Sequence, residues 1–231
     1  MRIVFLSAAL LLTGIAAAQQ FNYNVSCDSA GTYQELTAQT LLKSGSSPWA
    51  EKYPLATGFP FSCLGRTFDS VRVERNGYLS FDADRSYAFM AFNAFSDKID
   101  TAGNRSTLSY ALSGSAPNRV LKLQFRNMGQ GAAPAELLSY QIWLNENGAI
   151  EVHVGPHTYA IADSTNSSDT LMPVVIGLVN TNMDTPTRGL FLEGSTTQPG
   201  SRPVNDTYPD PAFIRSIPAQ GTRYTFTPVT Q

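Results

Sequence analysis

The chain has two histidines, and both fall in the stretch "AIEVHVGPH" beside an acidic residue: Glu151, His153 and His157. Strict alternation there sends Ile150, Val152 and Val154 to one face of a strand and Glu151 and His153 to the other, about 7 Å apart along it. An imidazole beside a carboxylate can do acid–base work or ligate a metal. A metal would need a third and usually a fourth ligand, and Asp163 or Asp169 downstream are placed to supply one. Nothing in the spacing fixes such a partner, so the expectation is a solvated outer sheet face. No G-x-S-x-G motif stands on a strand-to-helix turn, so no Ser-His-Asp set is indicated. Glycoside hydrolysis asks for two carboxylates roughly 5–9 Å apart. Glu151 with Glu193 is the strand-borne pair on offer, and no spacing links them. No enzyme is expected.

Two further sets invite a binding role. Asp82, Asp84, Asp97 and Asp100 bracket an aromatic stretch and offer oxygen ligands to a structural calcium, although "DADRSYAF" lacks EF-hand spacing. Otherwise no cofactor is expected. Tyr87, Phe89, Phe92 and Phe95 in the long connection 83–104, with Trp49 and Tyr53 before "GFPF", offer flat apolar faces suited to a glycan or an extracellular protein. The competing reading has the Phe residues capping the open end of the domain. Trp143 stands between Ile142 and Leu144, so its face is ambiguous, and nearby Gln141 suggests a wet edge.

Strands must position these residues. In "SVRVERNGYLSFD" a three-residue loop, Arg75-Asn76-Gly77, pairs Val73 with Leu79 and Val71 with Phe81, which gathers all four apolar residues on one face. Arg72, Glu74, Ser80 and Asp82 then share the wet face. A two-residue turn at Asn76-Gly77 would split the apolar set, so the bulged hairpin is expected. A second Asn-Gly, at Asn147-Gly148, joins "SYQIWL" to "IEVHV". Strand-like runs recur from "FNYNVS" and "TYQELT" to "TRYTFTP", and no run holds a 3.6-residue period beyond about two turns. The fold class is all-β, an antiparallel two-sheet sandwich, jelly-roll-like, with about 10–11 strands.

The opening "MRIVFLSAALLLTGIAAAQQ" reads as a secretory leader over residues 1–18, leaving 19–231 as a single domain. Its apolar run is too short to span a membrane, and no later stretch is long enough. Net charge is −2 with 15% charged residues, which argues against nucleic acid as a partner. In an exported chain the two cysteines, Cys27 and Cys63, are expected to form one disulfide, contributing about 3–4 kcal/mol in the chain-entropy model.

The runs "GFPFSCLGRTFDSVRVERNGYLSFD", "APNRVLKLQFRNM" and "LSYQIWLNENGAIEVHVGP" resemble a β-sandwich module of secreted and cell-surface proteins of Bacteroidota, many of them adhesin-like or type IX secretion cargo. The "NGYLSF" hairpin alone is similar to nidogen-type extracellular domains. Both resemblances imply a sandwich at the cell surface or beyond, and neither brings an active site. The resulting expectation is a non-catalytic protein for adhesion, surface assembly or ligand binding. The alternative is a carbohydrate-binding or carbohydrate-active protein using the aromatic connection 83–104.

Overall fold

The computed structural model describes residues 23–44, 52–74, 77–83, 86–92, 97–129, 136–159, 174–180, 187–206, 213–214 and 216–229. The leader, Trp49, Asp84, Phe95, Asp163 and Asp169 lie outside them. Among the described residues fourteen strands run in chain order, beginning with β1 Tyr23–Asp28, β2 Thr40–Ser44, β3 Tyr53–Cys63, β4 Arg66–Val73, β5 Leu79–Ser80, β6 Tyr87–Ala91 and β7 Thr107–Ser113. There follow β8 Val120–Met128, β9 Leu138–Asn145, β10 Ile150–His157, β11 Ile176–Asn180, β12 Thr187–Gly194, β13 Pro199–Asp206 and β14 Arg223–Pro228. They form two antiparallel seven-stranded sheets. The first has the order β1-β14-β10-β9-β8-β7-β2, and the second β13-β12-β11-β6-β5-β4-β3.

The hairpin that fixes the parity forms as expected. Val73 faces Leu79 and Arg72 faces Ser80. The loop closes through Glu74 N–H to Tyr78 O at 2.9 Å and Gly77 N–H to Glu74 O at 3.2 Å. Gly77 sits at φ 80°, the left-handed region that its missing Cβ leaves open. The second Asn-Gly builds the same loop, with Asn145 N–H bonded to Ala149 O and Gly148 at φ 86°.

Between the sheets lies one continuous core. Phe61, Val73, Leu79 and Phe89 of the second sheet meet Leu123, Phe125, Tyr140, Val152 and Phe226 of the first, all with no measurable exposure. Each such side chain contributes about 1.5–3 kcal/mol of burial.

Several expectations are corrected here. Strands β2, β6 and β13 exceed the expected 10–11. β6 falls inside the stretch read as an aromatic loop, and its outward residues Ala88 and Met90 join a second apolar cluster with Val175, Val179 and Phe191 on the outer face. That cluster removes the polar alternation by which a half-buried strand is recognised. Glu74 and Ser80 do point outward, yet they are 2% and 1% exposed. Ser80 Oγ donates to Glu74 Oε1 at 2.8 Å, with Lys52 Nζ 3.8 Å from the carboxylate.

The expected disulfide is not formed, and both cysteines are free. Cys27 Sγ donates to Thr196 O at 3.7 Å, whereas Cys63 bonds the Tyr23 hydroxyl. Tyr23 and Cys27 are four residues apart on β1, about 13 Å by strand rise, beyond the ~7 Å that a disulfide spans. Burial pushes the Cys63 thiol up to about 12.

The run "TYQELT" is extended but belongs to neither sheet. The order of the first sheet explains it. β1 and β2 are its opposite edges, so their connection, residues 29–39, must cross five strands. Six strand spacings come to about 29 Å, and eleven residues reach about 36 Å when extended. The segment is therefore a nearly taut strap lying across the outer face.

Candidate functional site

Two rows of side chains stand on that outer face. Register places Ser109, Gln124, Gln141, His153, Arg223 and Asp28 directly opposite one another across β7, β8, β9, β10, β14 and β1. Ala111, Lys122, Trp143, Glu151 and Thr225 form the adjacent row.

The first row is the seat of the strap. Gln124 and Gln141 are each 1% exposed. Leu36 N–H donates to Gln124 Oε1 at 2.8 Å, and Gln141 Nε2 donates to Gln34 O at 2.8 Å and to Gln124 Oε1 at 2.8 Å. Gln39 Oε1 accepts from Ser109 Oγ and, at 3.1 Å, from Gln124 Nε2. An extended segment outside a sheet has no ladder for its amides, and buried backbone groups must be satisfied somehow. Here the glutamine amides take that part. The Tyr33 ring lies against Gly155, where a Cβ would come within 2.7 Å of Cζ.

Beside the strap the two rows form a groove of about 500 Å³, lined by Gln34, Leu36 and Thr37 and floored by Lys122 and Trp143 of the second row and His153 of the first. The Trp143 indole stacks on the His153 ring at 4.0 Å between centroids, and Lys122 Nζ stands 3.9 Å from the indole centroid. Trp143 Nε1 donates to Gln141 Oε1 at 2.8 Å. Gln141, taken as the mark of a wet edge, is instead buried and ties the indole to the strap's seat.

His153 Nε2 meets Glu151 Oε2 at 2.9 Å, and Asn145 Nδ2 donates to Glu151 Oε1 at 3.0 Å. Burial alone would raise the Glu151 carboxyl, but the bonds from His153 and Asn145 outweigh it and hold the group below its usual range. His157 does not join them. A register shift between Val154 and His157 separates it from that face, and burial lowers its imidazole.

The remaining sequence candidates are dispersed. Glu193 ion-pairs with Arg202 at 3.4 Å on the second sheet, so the two sheets of the sandwich separate it from Glu151. Phe89 and Phe92 are wholly buried, Phe89 edge-on to Phe226 and Phe92 tilted on Tyr140. They cannot face a ligand, and this much of the aromatic surface expected over 83–104 is core. Tyr87 is half-buried beneath Arg66, whose guanidinium lies 4.9 Å from the ring centroid, and Tyr53 packs partly on the core. Asp100 caps its own turn by accepting from Ala102 N–H and Asn104 N–H, and Asp82 accepts from Tyr87 N–H. No three His, Cys, Asp or Glu side chains converge among the described residues.

Of the residues that do converge, Glu151, His153 and Trp143 were singled out from sequence, whereas Lys122, Gln124 and the strap residues Gln34 and Gln39 were not. Gln124 and Gln141 carry a usable signal, since each is a long amide at an outward strand position. Their being opposite one another appears only once β8 and β9 are in register.

By architecture the chain is thus an antiparallel two-sheet sandwich with a strapped groove on one outer face. It belongs to the NIDO-related family, whose model matches residues 22–228, and domains of this family are extracellular. The match takes up the nidogen-type resemblance, and the likeness to Bacteroidota modules finds no support in it. No curated protein matches the chain, and no solved structure does. No helix among the described residues is long and apolar enough to cross a membrane.

Proposed function

We propose that the chain is a non-catalytic extracellular recognition module that holds a ligand in the groove between the strap and the second row. Export would use residues 1–18 as leader, leaving 19–231 as one binding domain for adhesion or surface assembly. The carrying observation is that Gln124, Gln141 and Gln39 bond into one network that fixes the groove wall to a rigid sheet. A pre-ordered wall spares the ligand the entropy of ordering it. The volume lies within the roughly 300–1,000 Å³ usual for small-ligand sites.

The experiment is an array of extracellular glycans and matrix polymers probed with the secreted protein and with Thr37→Trp, which fills the groove from its exposed rim. At least one ligand should bind the parent, and Thr37→Trp should weaken it by tenfold or more. Absence of any ligand, indifference to the substitution, or turnover of a bound polymer would each contradict the reading.

A further inference from the structure

The chemistry of the groove narrows what it can hold, if the preceding reading of the site is right. Neutral sugars are commonly gripped by stacking on an open aromatic face. Trp143 has no such face to give, because His153 approaches its ring from β10 and Lys122 from β8. A protein partner would ask for a cluster of aromatic anchors seated in pockets. Here the apolar lining is Leu36, Leu112 and two alanines around an already stacked indole, and polar groups such as Gln34, Thr37, Ser113 and Lys122 stand among them.

The cations nearby differ in how they are occupied. Arg223 lies 3.2 Å from Asp28, and His153 is bonded to Glu151. Among the described residues Lys122 meets the indole and has no carboxylate within ion-pair range. Glu35 of the strap is the acidic residue of the lining, and no ion pair is formed between it and Lys122. An ammonium held over an aromatic face keeps its remaining donors for an anion.

The geometry points to an acidic saccharide as the ligand, a uronic-acid residue whose carboxylate is received by Lys122 while the strap and Ser113 meet its hydroxyls. Recognition is by charge-assisted hydrogen bonding rather than by stacking.

Calorimetric titration tests this with three probes: an oligogalacturonate, an uncharged oligosaccharide of equal length, and oligoglutamate. The oligogalacturonate should bind at least tenfold more tightly than either of the others, and more weakly as salt rises. Lys122→Met should cost about tenfold or more. Ala111→Glu, which sets a carboxylate directly opposite Lys122 across β7 and β8, should do the same with an unchanged melting temperature. Equal binding of the uncharged sugar overturns the anion assignment while leaving the groove as the site. Equal binding of oligoglutamate overturns the saccharide. Undiminished binding by both variants removes Lys122 from the account. If the array yields a groove ligand but oligogalacturonate fails to bind, this inference falls and the functional reading stands.

Discussion

Replacing Tyr140 with alanine should lower the unfolding free energy by about 3–5 kcal/mol. The ring has no exposure, stacks on Phe125 with centroids 4.5 Å apart and planes 6° apart, and meets Phe92 at 4.9 Å. Removing it leaves a cavity between two aromatic rings anchored on β8 and beyond β6, which cannot close without moving both sheets. Domains of this kind have only about 5–15 kcal/mol in total, so urea unfolding should show a large fall in midpoint. Tyr140→Phe provides the contrast. The hydroxyl lies 3.5 Å from Gly77 O, a marginal bond, so losing it should cost about 1 kcal/mol or less. Equal losses for the two variants would mean that the aromatic stack does not carry the core.

The neighbouring residue faces the other way and has a different task. Gln141→Leu should cost about 2–4 kcal/mol, although it exchanges a polar side chain for an apolar one in a buried position. The substitution strips the partner from Gln34 O and from Trp143 Nε1 and leaves Gln124 Oε1 with the strap's Leu36 N–H alone. Each buried group left unsatisfied costs about 1–3 kcal/mol. The loss should be accompanied by a change in Trp143 emission, since the indole's bond to Gln141 also goes. Gln141→Glu keeps the acceptor for Trp143 but sets a buried carboxylate oxygen against two acceptors, Gln34 O and Gln124 Oε1, and should cost at least as much as leucine at neutral pH. A neutral or stabilising Gln141→Leu would mean that the strap is not seated on this side chain.

These two residues mark how far the sequence could be read. The core face was legible because its period is two and because an Asn-Gly loop sets parity: Val73 opposite Leu79 follows from three residues of turn chemistry. β6 was not, since Tyr87, Phe89 and Ala91 face one apolar layer and Ala88 and Met90 another, and a strand greasy on both sides has no alternation to detect. β13 hides behind Pro199, Gly200 and Pro203, residues that signal a loop but are tolerated on an edge strand. "TYQELT" misled in the opposite sense. It has a strand's extension because β1 and β2 lie at opposite edges, a fact of topology that no local pattern encodes. The candidate site was less legible still. Glu151 and His153 were recognisable as a pair, whereas the seat of the strap needs residues 34, 39, 109, 124 and 141 brought together by long-range register.

Residues 29–39 form a fixed wall across the first sheet, held by glutamine side chains in place of a backbone ladder. Residue-resolved amide hydrogen exchange tests this at Leu36, whose N–H donates to the side chain of Gln124 rather than to a strand partner. Its exchange should be slower by about a hundredfold or more than in an open chain, and Gln124→Leu should abolish that slowing while the β9 amides stay protected. Exchange of Leu36 at the open-chain rate in the folded parent protein would contradict it.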